Sequence, residues 1–425
     1  MSSILLKIVN YLAIFGIFSG ALTYDLRSFA ELRIIYVTLP TVILILLFST
    51  KRLVINKKFL FYFLALFLFS LYNVFMGNNT MLLLFKQTIG ILLVSTAFYL
   101  VIKANSYDII KLFKIYLVFA FVVALIGILQ QIGFILGIHW LYDYRPLFVN
   151  SNAWNFATAF NGHFIRINSI LHEPSTFCLV LMPAFFAAIS SLFLKKEFSF
   201  YNRFQCCVII LSLLSSFSAT GYLGMLLAIL IFFKDFIRRT KWRVIILSSL
   251  VLFFVIFFTV IPELKMRVAD TVNIINGGKK FDCVNSSTYA LGSNFIITYK
   301  SFREHPFIGS GLGSYKVVYD KHIGSIFAKM QKRKYVLNDK DANSLFLRLS
   351  AETGIFGILI FFGFLFKLYL KRRDDANNYL WIINNASLIY FFLKLLRSGH
   401  YFIEGFFFFF WVYYFSKIKS RDNRL

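Results

Sequence analysis

The chain has 425 residues, 59% of them hydrophobic and 20% aromatic, with a mean hydropathy of +0.72. A soluble chain of this length could not hide so much apolar surface, so a water-soluble enzyme is excluded and the bilayer is the solvent. The formal charge of +26, from 45 Lys+Arg against 19 Asp+Glu, would point to nucleic acid in a soluble protein. Here the cations sit in short clusters between apolar runs, which is an orientation signal, and no nucleic-acid partner is expected.

Met1–Lys7 runs into Ile8–Gly20 without a small-residue cleavage site, which reads as an uncleaved first span. Apolar runs at Ile4–Gly20 and Ile34–Thr50 flank the polar stretch Tyr24–Arg33, and Lys51, Arg52, Lys57 and Lys58 form the first basic cluster. Phe59–Met76 and Met81–Ile102 make a hairpin, followed by Lys103, Lys111 and Lys114, and Leu112–Ile138 is the fifth run. After the loop 139–173, the run Thr176–Leu194 closes on Lys195 and Lys196. Phe204–Phe236 is too long for one ordinary span and has basic clusters at both ends, so it must cross twice, turning at Ser218–Gly221. Val244–Val260 leads into the long region 261–343. Leu345–Leu370, Tyr379–Leu396 and Tyr401–Phe415 complete the chain.

With the N-terminus inside, about twelve spans place every short basic cluster in the cytoplasm. The expectation is one all-α polytopic membrane domain over 1–425, with both termini cytoplasmic and two large outer loops, 139–173 and 261–343. The four cysteines, Cys178, Cys206, Cys207 and Cys283, show no metal-ligand spacing.

Chemistry concentrates at the outer ends of the runs. "RINSILHEPS", Arg166–Ser175, puts an arginine, a histidine and a glutamate within eight residues at the mouth of a span, where charge is costly and marks function by default. Pro174 suits the first turn of a helix, which would set Glu173 at its N-terminus. The alternative is a loop end with a capping acid. Region 261–343 is amphipathic, with helical candidates around Leu291–Glu304 and Tyr315–Lys334. Its basic residues include Lys265, Arg267, Lys300, Arg303 and Lys321. So long a loop translocates largely regardless of charge, so topology does not explain that basicity. A positive outer pocket suits a diphosphate headgroup gripped bidentately by arginine; a solvated basic face beside anionic lipid is the plainer reading. "REHPFIGSGLGSY", Arg303–Tyr315, has no preceding strand and is no dinucleotide fingerprint. Its glycines are expected to make a tight turn at the membrane surface. "DANSLFLRLSAETGIFG" then enters the next span, with Asp339, Asp341 and Asn343 at its start and Glu352 inside it.

"HPFIGSGLGSY" followed by "NSLFLRLSAETGIFG" resembles the C-terminal signature shared by bacterial O-antigen polymerases and O-antigen ligases, and "RINSILHEPS" resembles the Arg…Glu-Pro segment of the polymerases. The likeness covers the whole architecture, its sharp motifs about forty residues. It implies a GT-C-like membrane glycosyltransferase acting on undecaprenyl-diphosphate-linked sugars at the periplasmic face of the inner membrane, without metal or other cofactor. Ligases carry a histidine, a small polar residue, nine positions, then Gly-x-x-Gly. This chain keeps the spacing through Ser344, Gly354 and Gly357 but has Asn343 where the histidine stands. Ligases also tend to place an arginine in the turn that here reads "SATGYLG". Both departures favour a polymerase.

On that reading a sugar hydroxyl of one lipid-linked repeat unit attacks the anomeric carbon of another and expels undecaprenyl diphosphate. Arg166, Arg303, Arg267 and Arg145 are the candidates for holding the diphosphate, with Lys300 beside them. For each arginine singly, a loop salt bridge is about as good an account. Glu173 is the first candidate base, with His172 and His322 behind it. Asn343 is a useless base but can orient a hydroxyl or the diphosphate. Asp339-Lys340-Asp341 has metal-binding spacing and ranks low, since the family implies no metal. His139, His163, His305 and His400 read as interfacial or structural. A chain-length regulator is an expected partner. The rivals are a ligase and, from another class, a flippase for lipid-linked sugars, which should show broken spans near the midplane.

Overall fold

The computed structural model describes residues 2–20, 22–25, 31–50, 56–147, 154–160, 162–236, 284–328, 336–372 and 378–422, with single residues and pairs between 241 and 272. The first helices in chain order are α1 (Ser3–Phe18), α2 (Ile35–Thr50), α3 (Lys57–Phe75), α4 (Met81–Ala104), α5 (Ile109–Ile135) and the short α6 (His139–Tyr142). Then come α7 (Pro174–Phe193), α8 (Arg203–Leu214), α9 (Ala219–Phe236), α10 (Ser286–Glu304) and α11 (Tyr315–Phe327). Last are α12 (Leu345–Leu368), α13 (Asn378–Leu396) and α14 (Phe406–Asp422). Two small antiparallel hairpins interrupt them, β1 (Thr23–Asp25) with β2 (Glu31–Arg33) and β3 (Thr158–Ala159) with β4 (Phe164–Ile165). Six described helices, α3, α4, α5, α7, α12 and α13, are long and apolar enough to cross a membrane. The protein is a nearly all-helical polytopic membrane protein. The expected span Val244–Val260 lies largely outside the described residues.

Because the runs are apolar on every face, their starts are set by caps. The side chains of Ser2, Asn56, Thr80, Asp108, Asn285 and Ser344 each accept the backbone N–H three residues on. Asn202 and Gln205 form a reciprocal capping box at α8. Phe204–Phe236 is the expected hairpin, α8 and α9, and Cys178 of α7 donates to Ser216 in its turn at 3.0 Å. α7 and α13 are the innermost spans, with 78% and 83% of their apolar windows buried. α13 can be central because its buried amides are largely bonded: Asn385 Nδ2 donates to Leu370 O and Trp381 O at 3.1 and 3.0 Å, while its Oδ1 has no partner among the described residues. Asn384 accepts from Leu370 N–H at 2.9 Å and donates to Ser416 Oγ at 2.8 Å.

α12 is broken. Gly354 has φ 58°, ψ −156°, a region that essentially only glycine occupies. A break inside a span leaves helix N–H and C=O groups without partners, which the bilayer cannot supply. The segment 306–311 supplies them. Ser310 and Gly311 N–H donate to the carbonyls of Ala351 and Glu352 at 2.8 Å, and Ile355 and Phe356 N–H donate to those of Pro306 and Phe307 at 2.9 and 3.1 Å. The "HPFIGSG" segment therefore does more than turn at a surface: it splices a broken helix. A Cβ on Gly354 would lie 2.6 Å from the Phe307 carbonyl. Gly354→Ala is expected to cost about 3 kcal/mol, seen as a lower thermal midpoint and yield of purified protein. Gly363→Ala, in open space on the same helix, should be neutral or slightly stabilising.

Candidate functional site

The segment before α7 is held by two fully buried amides. Asn168 Nδ2 donates to the carbonyls of Asn155, Leu171 and His172 at 3.2, 3.0 and 3.3 Å. Gln130 Oε1 accepts the N–H groups of Asn168 and Ser169 at 3.2 and 3.0 Å. The Trp154 indole N–H donates to Ser169 O at 2.8 Å. These bonds fix the backbone that delivers Glu173, and Pro174 opens α7 as expected. The Glu173 carboxylate does not cap the helix. It receives the Ser175 hydroxyl and faces Arg397 Nη2 at 3.5 Å. Burial alone would raise its pKa, but Arg397, the Ser175 hydroxyl and His172 outweigh that and hold the carboxyl below its usual range. It is an ionised carboxylate with a cation beside it.

Arg397 belongs to the loop between α13 and α14, which pairs with the segment before α12. Ala342 and Asn343 both have positive φ, 60° and 58°. This lets Asn343 O accept Ser398 N–H at 3.0 Å and sets Ser344 against Ser398 in a parallel bridge. Asp341 accepts Asn338 Nδ2 at 3.0 Å, and its other oxygen faces His400 Nε2 at 3.4 Å. Asn343 is buried, and its Nδ2 has no hydrogen-bond partner among the described residues. α10 and α11 prop this segment: Lys316 pairs with Asp339 at 3.0 Å, Asn294 donates to Leu337 O at 3.1 Å, and Tyr315 donates to Asn294 Oδ1 at 2.7 Å.

Behind these groups lie two buried ion pairs. Arg348 binds Glu352 at 2.8 Å, Gly399 O at 3.1 Å and Gln87 Oε1 at 3.2 Å, and lies 4.4 Å from the Tyr401 ring centroid. The Tyr401 hydroxyl donates to Glu352 at 3.1 Å. Lys394 binds Glu404 at 2.7 Å, and the Ser398 hydroxyl donates to the same oxygen at 2.6 Å. The cluster is recessed. Gln87 is in the second turn of α4, and a Cβ on Gly90 in the third turn would meet Phe402 at 2.7 Å. At 1.5 Å per residue, the loop reaches about 13 Å below the start of α4.

The other expected site residues fall in several places. His172 is exposed beside Glu173. Arg166 is half-buried at the end of the β3–β4 hairpin, whose Phe160 and Phe164 pack on Phe217 of the α8–α9 turn. Arg145 is committed to Asp143 at 2.5 Å, which holds that carboxyl below its usual range. Arg267 lies outside the described residues. His322, Lys300 and Arg303 form a separate group on α10–α11. Lys300 donates to Ser325 at 2.6 Å, exposed Arg303 lies over the Tyr299 ring at 6.0 Å, and His322 faces Glu304 at 3.6 Å, with Lys321 on the same carboxylate at 2.6 Å. Arg348, Arg397 and the Asp341–His400 contact were not anticipated. For Arg348 the signal was present, since Arg348 and Glu352 stand at i, i+4 on one helix face.

Burial lowers the His322 pKa from its ordinary 6.5, only partly offset by Glu304. The folded state therefore favours the neutral ring. Its contribution is full above pH 6.5 and is lost as pH falls through the lowered value, because the unfolded chain takes the proton first. Glu304, depressed by Lys321, contributes above its ordinary 4.5 and loses stability as pH falls further. Amide protection factors across 286–327, corrected for the intrinsic pH dependence of exchange, should fall as pH drops below 6.5, and His322→Gln should flatten that dependence.

Residues 206–362, from α8 to most of α12, match the family model Wzy_C, described as O-Antigen ligase. Members of that family are glycosyltransferase-like enzymes, polymerases and ligases. The match takes in Asn343, Arg348 and Glu352 but neither Glu173 nor Arg397. No curated protein matches the chain. The chain therefore carries an O-antigen ligase-like domain over 206–362, consistent with the O-antigen polymerase/ligase superfamily.

Proposed function

We propose that the protein is a surface-polysaccharide polymerase of the bacterial inner membrane. It transfers a growing glycan from undecaprenyl diphosphate to a lipid-linked repeat unit at the periplasmic end of the bundle. The observation that carries this reading is Asn343. It occupies the position where the ligase pattern has histidine, and its buried Nδ2 has no partner among the described residues. An amide there can donate to a sugar oxygen but cannot take up the acceptor proton.

The acceptor oxygen forms its bond to the anomeric carbon as the bond to the diphosphate oxygen breaks, and the electron pair leaves with the diphosphate. Arg397 offsets the charge that develops there, with Arg166, at the end of the β3–β4 hairpin, as the second candidate. The acceptor proton passes to Glu173. The second candidate base is His400, oriented by Asp341. A depressed carboxyl pKa makes Glu173 a weak base, which suits a reaction driven by a good leaving group and a late proton transfer. The chain-length regulator remains a proposed partner. For a flippase the Gly354 break would be the telling feature, but two carbonyls and two N–H groups beside it are taken up by segment 306–311 instead of being left to hold cargo.

The test is deletion of the gene in its host and gel analysis of the extracted polysaccharide. Core bearing a single repeat unit, with the ladder gone, is the expected result. Core without any repeat, with lipid-linked polymer accumulating, would make the protein a ligase, and an unchanged ladder would sink both readings.

A further inference from the structure

The end of the bundle opposite the Glu173–Arg397 cluster carries a basic groove that the proposed chemistry does not use. It lies between α1 and the start of α5, measures ≈ 570 Å³, and is lined by Lys7, Asn10, Tyr11, Asp108, Lys111 and Lys114 among others. The acid in that lining, Asp108, caps α5 by accepting Lys111 N–H at 3.0 Å. Asn10 is fully buried, and its amide is committed to a reciprocal pair with Asn105 at 2.9 and 2.7 Å. Three lysines thus line the groove against one carboxylate. Lys114 also lies over the Tyr379 ring at 5.7 Å.

What continues from the lysines is apolar. Lys111, Ile115, Val118 and Val122 follow one face of α5 at i, i+4, i+7 and i+11, and Ile4, Ile8, Tyr11 and Phe15 follow one face of α1. Ile8, Tyr11, Val118 and Val122 are 46, 48, 58 and 46% exposed, and Tyr11 and Phe15 meet Phe119 at 6.0 and 6.3 Å. A cationic mouth above an apolar wall has the shape of an amphiphile. A soluble phosphate would use only the lysines, and lysines serving orientation alone need no shared groove with a continuous apolar wall beneath.

We propose that this groove binds an anionic phospholipid, its phosphate held by Lys7, Lys111 and Lys114 and an acyl chain lying along α5. The test is native mass spectrometry of the full-length protein in detergent, offered phosphatidylglycerol or phosphatidylcholine. The wild-type protein should retain phosphatidylglycerol with a preference on the order of tenfold, given the attraction each lysine adds at a membrane surface. Lys7→Gln/Lys111→Gln/Lys114→Gln should lose that preference. Lys57→Gln/Lys58→Gln/Lys103→Gln, which removes the same charge from the same end, should keep it. Equal losses in the two triple variants would reduce the effect to net charge and overturn the site. Displacement of the lipid by millimolar inorganic phosphate would make it a phosphate site instead. Should the first variant fail to fold, the single variants Lys7→Gln, Lys111→Gln and Lys114→Gln take its place against single Lys57→Gln and Lys103→Gln controls, and equal preference in the two sets would overturn the site.

Discussion

Arg348→Ala is expected to destabilise the protein by about 3–5 kcal/mol, the usual result of leaving one member of a buried ion pair without its counter-charge. Glu352 is fully buried, and its carboxylate is held by Arg348 and the Tyr401 hydroxyl. Removing the guanidinium also frees Gly399 O and Gln87 Oε1, and so loses one tie between α12 and the loop before α14 and one between α12 and α4. Glu352→Ala should cost a similar amount. Arg348→Met/Glu352→Leu should recover much of the loss, since apolar replacement of a whole buried pair is often neutral. The measurement is the thermal midpoint and yield of purified protein. If Arg348→Ala keeps its midpoint and loses only polymerisation, the pair belongs to the chemistry and not to the scaffold.

The fold was legible where the bilayer dictates it. Apolar runs of about twenty residues between cation clusters read as helices, because only helices and closed barrels satisfy the backbone in lipid and barrel strands are shorter. The α8–α9 hairpin followed from charge at both ends of an overlong run. The break at Gly354 did not follow, because "AETGIFG" reads as uninterrupted apolar helix. The atoms that complete the break are on Pro306–Gly311, more than forty residues earlier. Only a full account of N–H and C=O partners in three dimensions shows why the two segments need each other.

The site was legible in part for similar reasons. Glu173 was found from Pro174, a local rule. Its partner Arg397 follows a span in "LLRSGHYF", and nothing local there ties it to Glu173, more than two hundred residues earlier. Lys394 and Glu352 are single charges within apolar runs, and the structure gives each a counter-charge at the same end of the bundle. The Lys394–Glu404 pair crosses a loop and could not be read from spacing. Lys300 and Arg303 had the right chemistry, but Ala290, Asn294, Ile297 and Ser301 form the buried face of α10. The helical period therefore turns Lys300 and Arg303 away from that face.

Arg397→Ala should reduce polymer formation by about 10²–10³-fold and should lower the thermal midpoint less than Arg348→Ala does, because its ion-pair contact is a single 3.5 Å approach to a Glu173 that also receives the Ser175 hydroxyl. Arg397→Lys keeps the charge but loses the planar fork that grips two phosphate oxygens, so partial activity is expected. Glu173→Gln distinguishes two roles for the carboxylate. If Glu173 takes the acceptor proton, the amide variant should fail even with the full fold and normal retention of lipid-linked substrate. If Glu173 only aims Arg397, an amide that still accepts a hydrogen bond should keep much of the activity, and the loss should fall on His400→Asn instead. A ladder unchanged in length and amount for Arg397→Ala would remove the Glu173–Arg397 cluster from the reaction. The Arg166 side of the β3–β4 hairpin would then be the next place to look for the diphosphate.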